Sequence, residues 1–125
     1  VSFSDDLRRF TAKAETNIRD VHAGTVVRLH ESITVGSPVT GSPGQPVDFG
    51  NLVRSWGIED EGDARSLIST PMEYAPGIED GIGPHGPLTL RSAVGGFHSL
   101  KHTIAGAQRV VELEAQRVAE TRGGR

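Results

Sequence analysis

The chain has 125 residues, 13 Lys plus Arg against 16 Asp plus Glu, a formal net charge of -3, five His and no Cys. This length supports one domain, 1–125, with a real hydrophobic core, and the lack of Cys excludes disulfides, thiolate chemistry and Cys-based zinc sites. Mild acidity argues against a dedicated nucleic-acid binder, no 18-residue apolar run suits a membrane span, and no charged-then-apolar leader opens the chain, so the expectation is a soluble chain with no membrane partner and no obvious secretion route.

Glycine is the compositional oddity: 16 of 125 residues, against a usual ~7%. Twelve of the sixteen lie between Gly36 and Gly96, and all seven Pro lie between Pro38 and Pro87. Gly and Pro punctuate turns and break helices, so two helical ends flank a turn-rich middle.

The first element is a predicted helix over 5–35, with Ser4 as N-cap and Asp5 and Asp6 meeting the positive end of the helix dipole. Leu7, Phe10, Ala14, Ile18, Val21, Thr25, Leu29 and Ile33 recur at three- and four-residue spacing, one apolar stripe that His22 and His30 border. Such a helix is about 46 Å long, whereas a compact domain of this size is roughly 36 Å across. Either Gly24 bends it or neighbouring subunits cover the overhang.

Residues 36–50 (GSPVTGSPGQPVDFG) read as an extended loop of a length that is usually functional or disordered. Residues 51–55 suit one helical turn. Residues 56–60 and 64–70 suit a hairpin around Glu61-Gly62-Asp63, 72–79 another helical turn, and 88–91 a further strand. The last element is a predicted helix from His98 or Ser99 to about Thr121, whose face Leu100, Ile104, Ala107, Val111, Glu114 and Val118 is interrupted only by Glu114 and broadened by Val110 and Leu113. The fold class is therefore α+β: a small antiparallel sheet with a hairpin packed against a long N-terminal helix and a C-terminal helix, with a long Gly/Pro-rich loop. The segments are 1–35 helix, 36–50 loop, 51–97 β-rich middle and 98–122 helix. Residues 36–97 carry net -5 and 98–125 net +2, which suits head-to-tail contact between copies or a solvated surface.

Several motifs fail on context. Gly81-Ile82-Gly83-Pro84-His85-Gly86 spells a dinucleotide fingerprint, but Pro84 and Pro87 remove amide donors and a strand follows. Asp48-Phe49-Gly50 spells a kinase tripeptide in a chain too short for a kinase. His98 and His102 sit one helical turn apart, with His85 as a conceivable third ligand, so a small metal-binding or hydrolytic protein is one alternative. No HExxH glutamate or GxSxG elbow accompanies them, and no catalytic residue, metal or cofactor is expected. An oligomeric regulatory binding module is a second alternative. The scarce aromatics Trp56 and Tyr74 anchor the core, pin the loop, or serve as interface hot spots.

The order of features carries a resemblance. A long amphipathic helix precedes Ser37-Pro38-Val39-Thr40-Gly41 and Pro43-Gly44-Gln45-Pro46-Val47-Asp48-Phe49-Gly50-Asn51-Leu52-Val53-Arg54-Ser55-Trp56; a hairpin follows, then Tyr74-Ala75-Pro76-Gly77-Ile78-Glu79-Asp80-Gly81. This resembles the tail-component (tail-completion, or neck) family of long-tailed bacteriophages, over roughly residues 5–118. Phe49 departs from the family's usual Thr, and Gly77 from its usual aromatic residue.

The resemblance implies a non-enzymatic virion protein, assembled in the host cytoplasm, that forms a ring at the head–tail junction. Six-fold symmetry is expected, with a tail terminator or tail-tube protein below and a head connector or stopper above. DNA would pass through without sequence-specific binding. It further implies assembly roles for Pro38, Val39, Thr40, Pro43, Gln45, Pro46, Asp48, Trp56, Tyr74 and Pro76, with residues 36–45 an arm reaching a neighbour. Glu59, Asp60, Glu61 and Asp63 would face the lumen and repel phosphate.

Overall fold

The computed structural model describes residues 2–45, 50–72, 75–80, 82–83, 86–87 and 97–123. Helix α1 (Phe3–Thr34) leads to α2 (Gly50–Ser55), then β1 (Gly57–Gly62), β2 (Arg65–Ser69), α3 (Ala75–Asp80), β3 (Ile82–Gly83), β4 (Gly86–Pro87) and α4 (Ser99–Val118), which ends in a π-helical turn, Ala119–Gly123. Mixed helix and strand in this order is an α+β chain with a hairpin and two long helices. The strand expected over 88–91 lies outside the described residues, as do Pro46, Asp48, Tyr74 and His85.

Helix α1 begins two residues earlier than the sequence predicts, because Ser2 and not Ser4 is the cap. Ser2 Oγ accepts from the Asp5 amide at 3.2 Å, the spacing a capping side chain needs. Over its 32 residues α1 runs unbroken through Gly24, about 48 Å long at 1.5 Å per residue. Gly24, one of the two features offered to accommodate that length, does not interrupt the helix and has a packing role. A Cβ there would lie 1.9 Å from Glu114 Oε1, so the missing side chain is the space in which the Glu114 carboxylate lies.

Helix α4 packs antiparallel to α1: Ser32 meets Thr103, Gly24 meets Glu114, and Ile18 and Val21 lie near Val118. The buried face of α4 is Ser99, Thr103, Val110, Glu114 and Val118. The expected face holds at Glu114 and Val118, and at Val110 beside it, but is corrected at Ile104 and Val111, which are 68% and 41% exposed. The face turned inward is the one whose small hydroxyl residues let the helices approach closely and bond each other. Ser32 Oγ lies 2.6 Å from Thr103 Oγ1 and 2.7 Å from Thr40 Oγ1.

Residues 36–45 are not an extended loop. They fold back on the end of α1, closed by a Ser37–Ser42 bridge. Ser42 Oγ donates to the Ser32 carbonyl at 2.5 Å, Gln45 donates through its amide to Thr34 O and through Nε2 to Ile33 O, both at 2.9 Å, and Ser99 Oγ donates to Gly44 O. The physical reason is the open end of a helix: the last carbonyls of α1 lack intrahelical donors, and this segment supplies them. Gly44 has φ +80, and a Cβ there would stand 2.5 Å from the Val35 carbonyl carbon, so only glycine fits.

Strands β1 and β2 form an antiparallel hairpin with Ile58 opposite Ile68 and Glu59 opposite Leu67. The turn is Asp63-Ala64, one residue later than predicted, with Gly62 paired to Arg65. A register shift between Asp60 and Gly62 absorbs the difference, and Asp60 Oδ1 accepts from the Gly62 amide at 2.9 Å. Asp63 and Ala64 both have positive φ, as a two-residue turn matched to strand twist demands. The hairpin is tied to α1 by a 2.9 Å hydrogen bond between His22 Nε2 and Ser66 Oγ. His30 Nε2 likewise donates to the Trp56 carbonyl at 2.9 Å. A small core is formed by Leu52, Ile78 and Phe97, with Met72 and Ala75 packed against it.

Candidate functional site

The expected assembly residues divide between a surface and an interior. Pro38, Val39 and Pro43 are exposed on the outside of the folded-back segment, whereas Thr40 and Gln45 turn inward and bond α1. Hence the arm expected to reach a neighbour is held on its own helix by these two side chains.

Gln45, Trp56 and Pro76 come together with Met72, Glu79 and Leu100 around a cleft of about 510 Å³. Leu52 is fully buried, whereas Trp56 is only half-buried and borders this cleft, with its Nε1 buried and unpartnered. Its floor is set by Glu79, whose carboxylate accepts from the Leu100 amide at 2.9 Å and the Lys101 amide at 2.8 Å. Those are orphan donors of α4's first turn, and the preceding His98 has φ 54 with no side-chain cap of its own. Glu79 thus caps a helix 20 residues further along the chain. Phe97 N donating to Ile78 O and His98 N to Glu79 O fix the two segments side by side. Sequence reasoning missed this role, because a cap is sought next to the helix it serves.

Glu59, Asp60, Glu61 and Asp63 are all exposed on β1 and its turn. Glu59 and Asp60 stand opposite Leu67 and Ser66, on alternate faces of the hairpin, so the four carboxylates do not make one patch. Among the described residues no group of three or more His, Asp or Glu is placed to hold a metal. His98 and His102 are joined by the helical bond from His102 N to His98 O.

Among the described residues, the N-terminal part of α1 carries a run of uncovered apolar side chains. Phe3 is 80% exposed, Leu7 52%, Phe10 70% and Ile18 58%. Where α4 ends, this stripe runs into a groove of about 510 Å³ floored by Ile18, Val21 and Thr25. Val111, Ala115 and Val118 wall one side, and Ala64 of the hairpin turn lies on the other. Two buried oxygens in its lining, Asn17 Oδ1 and Thr25 Oγ1, have no hydrogen-bond partner. No described helix is long and apolar enough to cross a membrane, so the exposed stripe is not a spanning segment. Comparisons with protein-family models, with curated proteins and with solved structures give no match to this chain.

Proposed function

We propose that the chain is a structural subunit of a long-tailed phage virion, forming a ring at the head–tail junction that completes the tail, joins it to the head connector and leaves a channel for DNA. The observation that carries this reading is the uncovered N-terminal third of α1. A helix bearing Phe3, Leu7 and Phe10 in water is built for a neighbour. The resemblance of the segments at 43–56 and 74–81 to tail-component proteins supplies the kind of assembly. Six-fold closure needs a heterologous contact, for which the net -5 middle and the net +2 C-terminal segment are suited. Below it the ring would meet a tail terminator or tail-tube protein, and above it a connector or stopper.

In this assembly the hairpin carrying Glu59, Asp60, Glu61 and Asp63 faces the lumen, where carboxylates repel phosphate and let the genome slide. Replacing all four by Lys is expected to slow genome ejection while leaving the chain folded; unchanged ejection kinetics would remove the hairpin from the lumen. The whole reading is tested by labelling virions of the source phage with antibody to this chain. Label at the neck, together with unjoined heads and tails when the gene is deleted, is the expected result. Complete, infectious particles lacking the chain would overturn it.

A further inference from the structure

We infer that the free protein is a two-fold dimer in which the N-terminal third of α1 from each copy lies antiparallel in the α1–α4 groove of the other. The inference does not rest on the virion reading and concerns the chain alone.

The first ground is the spacing of the stripe. Around Ala14, Phe10 is mirrored by Ile18, Leu7 by Val21 and Phe3 by Thr25, each pair equidistant from Ala14 along the helix. All seven positions fall within about 40° of one line at 100° per residue, so they share a face. An antiparallel copy rotated about Ala14 therefore sets every apolar residue of one half against its mirror in the other. The residue at the axis is small, which lets the helices approach to the close end of the ~8–10 Å range.

The second ground is that the two halves are complementary in kind. Residues 18–25 have walls, given by α4 and Ala64, and a void of about 510 Å³ between them. Among the described residues nothing walls residues 3–10, which carry the large side chains: Phe3 and Phe10 are 80% and 70% exposed. From Phe3 to Phe10 is about 10 Å of helix and from Ile18 to Thr25 the same, so segment and groove match in length. One half is a ridge and the other a slot, and each copy has both.

The third ground is area. Four phenylalanine rings at roughly 150–250 Å² each, two leucines and the groove surfaces they cover bring the contact to the order of 1,200 Å². That reaches the lower bound of a specific interface. The exchange is reciprocal, so it closes at two copies and leaves neither stripe exposed.

The test uses the full chain, in which a lack of native cysteine makes any introduced one diagnostic. Equilibrium sedimentation across roughly two decades of micromolar concentration should give a species of about twice 13.3 kDa. Phe10→Glu should weaken that association at least ~100-fold with an unchanged circular-dichroism spectrum, because its side chain makes little contact within the monomer. Under mild oxidation a mixture of Leu7→Cys and Val21→Cys should yield the mixed disulfide, and neither variant alone should cross-link, since paired Cβ atoms must lie about 3.5–4.5 Å apart. A monomer throughout the range, a ring larger than two copies, or Leu7→Cys linking to itself as readily as to Val21→Cys would each overturn the inference.

Discussion

Ala64 stands at φ 56 beside Asp63 at φ 50. A Cβ in that region costs about 1–2 kcal/mol, and only part of it is offset by the lower unfolded-state entropy of Ala relative to Gly. Ala64→Gly is therefore expected to raise stability by up to ~1 kcal/mol, measured as a higher denaturant midpoint at unchanged m-value. A second residue-scale test concerns Gly24. Gly24→Ala forces the Glu114 carboxylate out of its place and should cost about 1–3 kcal/mol, as overpacking does. Glu114 Oε2 also accepts from Arg117 Nε at 3.1 Å, so the carboxylate is held from two sides. In a double-mutant cycle Glu114→Ala should abolish most of the Gly24→Ala penalty; additive losses would show that the two positions are not in contact. The pairs Asp5–Arg8, Asp6–Arg9, Arg28–Glu31, Arg109–Glu112 and Glu114–Arg117 are spaced i,i+3 along a helix, and the first four are exposed, so those four contribute little beside these packed positions.

Among the elements, α4 depends on a residue outside itself. Glu79 satisfies two amides of its first turn, so Glu79→Ala should lower stability by about 1–2 kcal/mol and expose the α4 amides at residues 100 and 101 to faster hydrogen exchange. Glu79→Gln keeps one acceptor oxygen and should lose less; an equal loss from both would show that charge and not the hydrogen bond matters. This element also marks where sequence legibility ends. Periodicity located α1, α2, the hairpin, α3 and α4 to within a few residues, because spacing of apolar residues and the fall of Gly and Pro are local signals. It placed Glu114 and Val118 on the buried face of α4 but mis-set the N-terminal part of that face, because apolarity was the criterion and Ser99 and Thr103 are polar residues buried by hydrogen bonding. The segment 36–45 was missed for the same reason. Ser42 and Gln45 have no apolar signature, yet their bonds to Ser32 O and Ile33 O hold the segment on α1. Excising residues 38–46 should accordingly destabilise the chain and not merely shorten a tether, with the loss read by thermal melting.

At the scale of the whole molecule, α1 is longer than its partner by about 18 Å, since α4 has 20 residues to its 32. Among the described residues the side-chain support of the overhang is the Ser2 cap and the exposed Asp5–Arg8 and Asp6–Arg9 pairs, a weak set for a helix of its length. The α1 overhang was legible in the sequence as a length argument; the groove that suits it was not, because it arises only where α4 stops and the hairpin turn begins. A two-fold pair fills that groove in both copies, so the proposed ring, were it to use the same surface, would form only after the pair opens. The consequence is measurable without phage. A chain that unfolds from a dimer gains stability with concentration by mass action, whereas a monomer does not. For a domain of this size a hundredfold rise in protein concentration should lift the melting temperature on the order of 5 °C. The Phe10→Glu variant should melt at one temperature throughout, equal to the dilute limit of the native chain, because its overhang adds nothing to the monomer's own packing. A native chain whose melting temperature ignores concentration would return the stripe of α1 to a partner of another sequence.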